Sequence, residues 1–246
     1  MFGKPWEIKS DKTIWRPDIQ SMGSKKSEKE KLTRERLQRV LCQAAAKDNS
    51  YIINFFFSSL RETGNSGIIK KLLLHTDECG NAWFVAARSD HIKVLEKPWG
   101  WGREVQVNLK DDMLLSKGDG GLTAWDNAAK NGNKEILEKL WGWGWEVQVN
   151  LKDDLLLAKG VEGLTTWEKT AWNGNKEILE KLWCWGREVE VNLTDDLLLG
   201  KGVGMLTAWD NAAENGNKEI LEILWGWGRE VRIYLKDDLL LAKGVD

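Results

Sequence analysis

Residues 121–141 read GLTAWDNAAKNGNKEILEKLW, and the string returns with few changes at 163–183 and 205–225. Thr123 is placed to cap a helix through Ala124-Trp125-Asp126-Asn127-Ala128-Ala129-Lys130-Asn131. Gly132 supplies the left-handed stop that commonly ends a helix. Asn133 then opens a second helix over 134–141, with Ile136, Leu137, Leu140 and Trp141 on one packed side. The small pair Ala128-Ala129 lets neighbouring backbones approach closely. Beyond Trp141, Gly142 and Gly144 predict a helix break, and Val147 and Val149 allow a short extended piece. Asn150 predicts the cap of a third short helix over 151–159, with Asp153 and Asp154 in its first turn and Gly160 at its end.

Working outward, Trp83, Trp125, Trp167 and Trp209 recur every 42 residues, as do Trp99, Trp141, Trp183 and Trp225. Trp101, Trp143, Trp185 and Trp227 form a third series with the same 42-residue period. Residues 121–162 and 163–204 are identical at 31 of 42 positions. One period before Trp83 and Trp99 lie Leu41 and Phe57, in a segment of matching apolar pattern. The chain therefore divides into a flexible polar leader, 1–36, and five units: 37–78, 79–120, 121–162, 163–204 and 205–246. One unit cannot bury its own apolar side, but stacked copies can. The expected fold is all-α, with Trp125, Trp167 and Trp209 as buried rungs. Trp143 and its equivalents are expected against the third helix.

The repeated string resembles the ankyrin repeat, whose helix pair begins G-x-T-P-L-H-x-A-A and continues x-x-G-H-x-E-I-V-x-x-L-L. Gly121, Thr123, Ala128, Ala129, Gly132, Glu135, Ile136 and Leu140 match at that spacing. Ala124, Trp125 and Asp126 depart from it, standing where the family has Pro, Leu and His. The usual unit has about 33 residues, so an extra short helix or extended loop follows the helix pair here. The resemblance implies an ankyrin-like α-solenoid that presents a concave face to another protein.

Composition narrows the function. Lys+Arg 36 against Asp+Glu 38 leaves a net charge of -2, without the basic balance of a generic nucleic-acid binder. Three cysteines without a CxxC pair argue against a disulfide framework or a structural zinc site. His75 and His91, the only histidines, fall in no triad or metal spacing. The paired aspartates, such as Asp153-Asp154, are adjacent and followed by apolar residues, unlike the alternating ligands of a calcium loop. Residues 51–60, the most apolar window, are too short to span a membrane. No secretory signal opens the chain, so a cytoplasmic setting is expected. We expect no catalytic, cofactor or metal site.

The near-identical copies differ where a recognition surface would. At the end of the first helix, one repeat position reads Arg88, Lys130, Trp172 and Glu214 along the chain. The resemblance places this position on the concave binding face, and these four are the candidate protein-binding residues. The expected function is a non-enzymatic protein-protein interaction scaffold with an unidentified partner, without nucleic acid or membrane. The alternative is a structural spacer, or part of a longer array with no ligand of its own. Unit 205–246 keeps the interior pattern through Leu221, Leu224, Trp225 and residues 239–241, and Ile223 replaces Lys139 and Lys181. Self-association through this uncapped end is therefore expected.

Overall fold

Helix-forming stretches punctuated by caps and turns account for every regular element in the computed structural model, which describes residues 26–64, 66–75, 81–161 and 163–231. In chain order they are α1 (Lys26–Ala46), α2 (Ser50–Glu62), α3 (Ser66–Leu74), α4 (Ala82–Arg88), α5 (Ile92–Glu104) and α6 (Ala124–Asn131). Then come α7 (Lys134–Glu146), α8 (Thr166–Asn173), α9 (Lys176–Glu188), α10 (Ala208–Glu214) and α11 (Lys218–Glu230). Among the described residues the chain is all-helical and has no strand. α1 runs unbroken from Lys26 past residue 36 into the first unit. Residues 1–25 and 239–241 lie outside the described residues.

The first helices α6, α8 and α10 each start with a reciprocal cap. The Asp126 N–H donates to Thr123 Oγ1 at 3.1 Å, and the Thr123 N–H donates to the Asp126 carboxylate at 2.9 Å. Thr165 with Glu168 and Thr207 with Asp210 repeat the arrangement, which satisfies N–H groups a helix start otherwise leaves open. Asp126 thus braces the turn itself. Gly132 and Gly174 take the left-handed conformation that ends α6 and α8, at φ 77° and 73°.

The second helix is longer than the sequence predicts. α7 continues through Gly142 and Gly144 to Glu146, and α5, α9 and α11 extend equally far. Gly144 is a packing residue, not a breaker. A Cβ there would meet Leu151 Cδ2 at 2.5 Å and Val149 Cγ2 at 3.1 Å, so glycine lets the returning chain lie against the helix. The reversal is made by Gln148 at φ 55°, with the Val149 N–H donating to the Gly144 carbonyl at 3.1 Å, which leaves no extended piece. The predicted third helix is a π-helical turn, Leu151–Leu156, and its cap is as expected: the Asn150 side chain accepts from the Asp153 N–H. Leu109–Leu114 and Leu193–Leu198 repeat it.

Units join through both layers of helices. The first helices pack in series, α1 on α4, α4 on α6, α6 on α8 and α8 on α10. The π turn Leu109–Leu114 packs on α5 of its own unit and α7 of the next, and Leu151–Leu156 likewise joins α7 to α9. Tryptophans fill the seam. Trp143 reaches back to the preceding unit and stacks on Trp99, with ring centroids 4.5 Å apart and planes 11° from parallel. Trp185 stacks on Trp141 at 4.7 Å, and Trp227 on Trp183 at 4.5 Å. A third ring closes each set: Trp83, Trp125 or Trp167, at 5.6–5.8 Å from the incoming ring. The aromatic partners of Trp143 thus come from the preceding unit. Such ring pairs contribute about 0.5–1.5 kcal/mol beyond burial.

Trp125 and Trp167 are buried at 2% and 1% exposure, as expected of rungs, whereas Trp209 is only half-buried. Trp209 faces Trp225 at 6.0 Å, but among the described residues no third ring closes the pair, and Trp225 is 38% exposed. Leu224, expected at the open end, is instead buried.

Polar satisfaction differs between rungs. Trp125 Nε1 donates to Thr166 Oγ1 at 2.7 Å. Trp83 and Trp167 bury the same nitrogen without a partner, and the positions equivalent to Thr166 are Ala124 and Ala208. Thr166→Ala is expected to cost about 1–3 kcal/mol by orphaning the Trp125 donor, and Ala208→Thr to add about 0.5–1.5 kcal/mol. Denaturant midpoints check both. Unchanged midpoints would mean that the indole nitrogen contributes nothing here. Among the described residues, no helix is long and apolar enough to cross a membrane.

Candidate recognition surface

Because α4, α6, α8 and α10 pack in series, their last turns form a row, and this row carries Arg88, Lys130, Trp172 and Glu214. All four are exposed, Trp172 by 41% although it is an indole. The structure therefore brings the four predicted residues onto one edge of the stack.

The backbone beneath the row is held from the following unit. Asn133 Nδ2 donates to the Ala87 carbonyl at 2.7 Å and to the Arg88 carbonyl at 3.1 Å. Asn217 Nδ2 donates to the Ala171 carbonyl at 2.9 Å and to the Trp172 carbonyl at 2.7 Å. Asn173 Nδ2 reaches the Lys130 carbonyl at 3.2 Å. His91, one period before Asn133, places Nδ1 2.6 Å from the Ala45 carbonyl. The last carbonyls of a helix have no partner within it, so these contacts satisfy them and fix the turn. Sequence reading assigns Asn133 to starting α7, yet its side chain makes no cap there. The repeated Gly-Asn at 132–133, 174–175 and 216–217 was the available signal.

Charges elsewhere on the stack pair across units. Arg61 meets Glu104 at 3.6 Å, Arg103 meets Glu146, and Arg187 meets Glu230. Lys139 pairs with Glu96 and Lys181 with Glu138, and Lys134 bonds Glu177 at 2.9 Å. That bond raises the Lys134 pKa and lowers that of Glu177. In the sequence these pairs are opposite charges 43 residues apart. In contrast, Arg88, Lys130 and Glu214 make no ion pair among the described residues. Trp145 stands where other units have Arg103 and Arg187, is 53% exposed, and leaves Glu188 without such a partner among the described residues.

The recess between units 121–162 and 163–204 is lined by Asp126, Gly160, Val161 and Thr165, and its carboxylate already serves the Thr123 cap. Glu168 is 3% exposed, and burial pushes its carboxyl above the ordinary glutamate range against the opposing hydrogen bond from Thr165. It too is a cap, donated to by the Thr165 N–H at 2.8 Å. Compared with known proteins, the chain matches no family model and no curated protein.

Proposed function

We propose that this chain is a non-enzymatic protein-protein interaction module, an ankyrin-type α-solenoid whose row of first-helix ends contacts the partner. The observation that carries the reading is the row itself. Equivalent positions on a shared scaffold hold four different side chains, exposed and, among the described residues, without ion pairs, while the charges of the second helices pair across units. The family assignment is supported by the reciprocal caps, the left-handed glycine turns and the serial packing of first helices. A compartment of cytoplasmic type remains part of the proposal.

Replacing Arg88, Lys130, Trp172 and Glu214 together by Ala is expected to leave stability within about 0.5 kcal/mol per site, as for surface changes. Proteins retained by the immobilised chain from nuclease-treated lysate should be lost with this variant. Trp172→Ala alone should account for about 2 kcal/mol of affinity for the main species, as expected of an aromatic hot spot. A capture profile independent of the row would contradict the proposal and favour a structural spacer.

A further inference from the structure

We infer that the partner is an extended protein segment whose side chains run acidic, acidic, apolar, basic at about three-residue intervals, facing Arg88, Lys130, Trp172 and Glu214 in turn. The inference rests on reading the row as a recognition surface, and it adds the order and spacing of the occupant.

Order follows from charge. Arg88 and Lys130 are neighbours of the same sign on consecutive helices, α4 and α6, and neither has an ion pair among the described residues. Placing like charges side by side opposes stacking, whereas the same scaffold joins opposite charges across units at Lys134–Glu177 and Lys181–Glu138. Two adjacent carboxylates on a ligand would neutralise both cations. Trp172 follows on α8, offering an indole face to an apolar or aromatic side chain. Glu214 closes the row on α10 with the opposite charge, which repels a third acidic residue and selects a basic one.

Spacing follows from packing. Neighbouring helix axes lie about 8–10 Å apart. A chain extended as polyproline II advances about 3.1 Å per residue and turns once in three residues, so every third side chain faces the row and meets the next helix end. A helical ligand advances only about 1.5 Å per residue and would need roughly six residues per unit, on a face that does not repeat at that interval. The backbone of the row is held by Asn133, Asn173 and Asn217, so the four side chains stand on a fixed base.

The test uses the full chain and synthetic peptides of one composition. One peptide carries acidic, acidic, aromatic and basic residues at every third position, with Gly and Ser between them. A second exchanges the basic residue with its second acidic residue. A third arm is a single-stranded DNA oligonucleotide. Titration calorimetry should show the ordered peptide binding about tenfold more tightly than the permuted one, since two contacts change from attractive to repulsive. Lys130→Glu should weaken the ordered peptide, and a peptide with Lys in the facing place should restore binding. Equal binding of both peptides, abolished by Trp172→Ala, would overturn the charge order while keeping the surface. Absence of peptide binding while lysate capture still depends on the row would overturn the extended occupant alone. Absence of dependence in both experiments would remove the surface and the inference together. Oligonucleotide binding that competes with the peptide and requires Lys130 would assign the row to nucleic acid and overturn the proposal.

Discussion

Trp167→Ala should lower the unfolding free energy by about 3–5 kcal/mol, the range for removing a large aromatic side chain from a core. The ring is 1% exposed and meets Trp183 at 6.0 Å within its own unit and Trp227 at 5.8 Å from the next. Its loss would open a cavity at the seam and leave the Trp183–Trp227 stack without its third wall. Trp209→Ala, at the half-buried equivalent position, should cost clearly less. Chemical denaturation followed by circular dichroism measures both, and hydrogen exchange should place the weakening in units 163–204 and 205–246. Equal costs at the two sites would mean that the seam is not what stabilises the rungs.

The two glycines of the Gly-Trp-Gly segment should respond with opposite signs. Gly144→Val is expected to destabilise by about 3 kcal/mol, because the added atoms collide with Leu151, Val149 and Leu155 in a packed site. Gly142→Ala should stabilise by about 0.5–1 kcal/mol, since nothing lies within 4 Å of its added Cβ and alanine favours helix. If Gly142→Ala instead broke the unit, the continuous α7 helix would be wrong. If Gly144→Val were tolerated, the close return of the chain would be wrong.

These glycines mark where the sequence was legible and where it was not. Thr123, Gly132 and the apolar face of Ile136, Leu137 and Leu140 act within a few residues of themselves, so a local reading places the helix pair. Gly144 reads as a breaker by the same local logic. Its actual reason lies in Leu151 and Val149, which return over the helix only after the Gln148 turn. The stacking of Trp143 on Trp99 and the reach of Asn133 to Arg88 join different units, and periodicity alone does not say which neighbour a side chain meets. The row of Arg88, Lys130, Trp172 and Glu214 was readable because its information is the contrast between copies. Its exposure, and its lack of ion pairs among the described residues, became visible only in the fold. Trp209 was misjudged because its burial depends on a third ring, which only the three preceding sets possess among the described residues.

Small-angle scattering from a verified monomer tests the central claim, that each unit packs mainly on its neighbours in a growing stack. A compact chain of this length would have a radius of gyration of about 18 Å. The account predicts a value clearly above that, with a distance distribution skewed to long separations. A radius of about 18 Å with a symmetric distribution would contradict it.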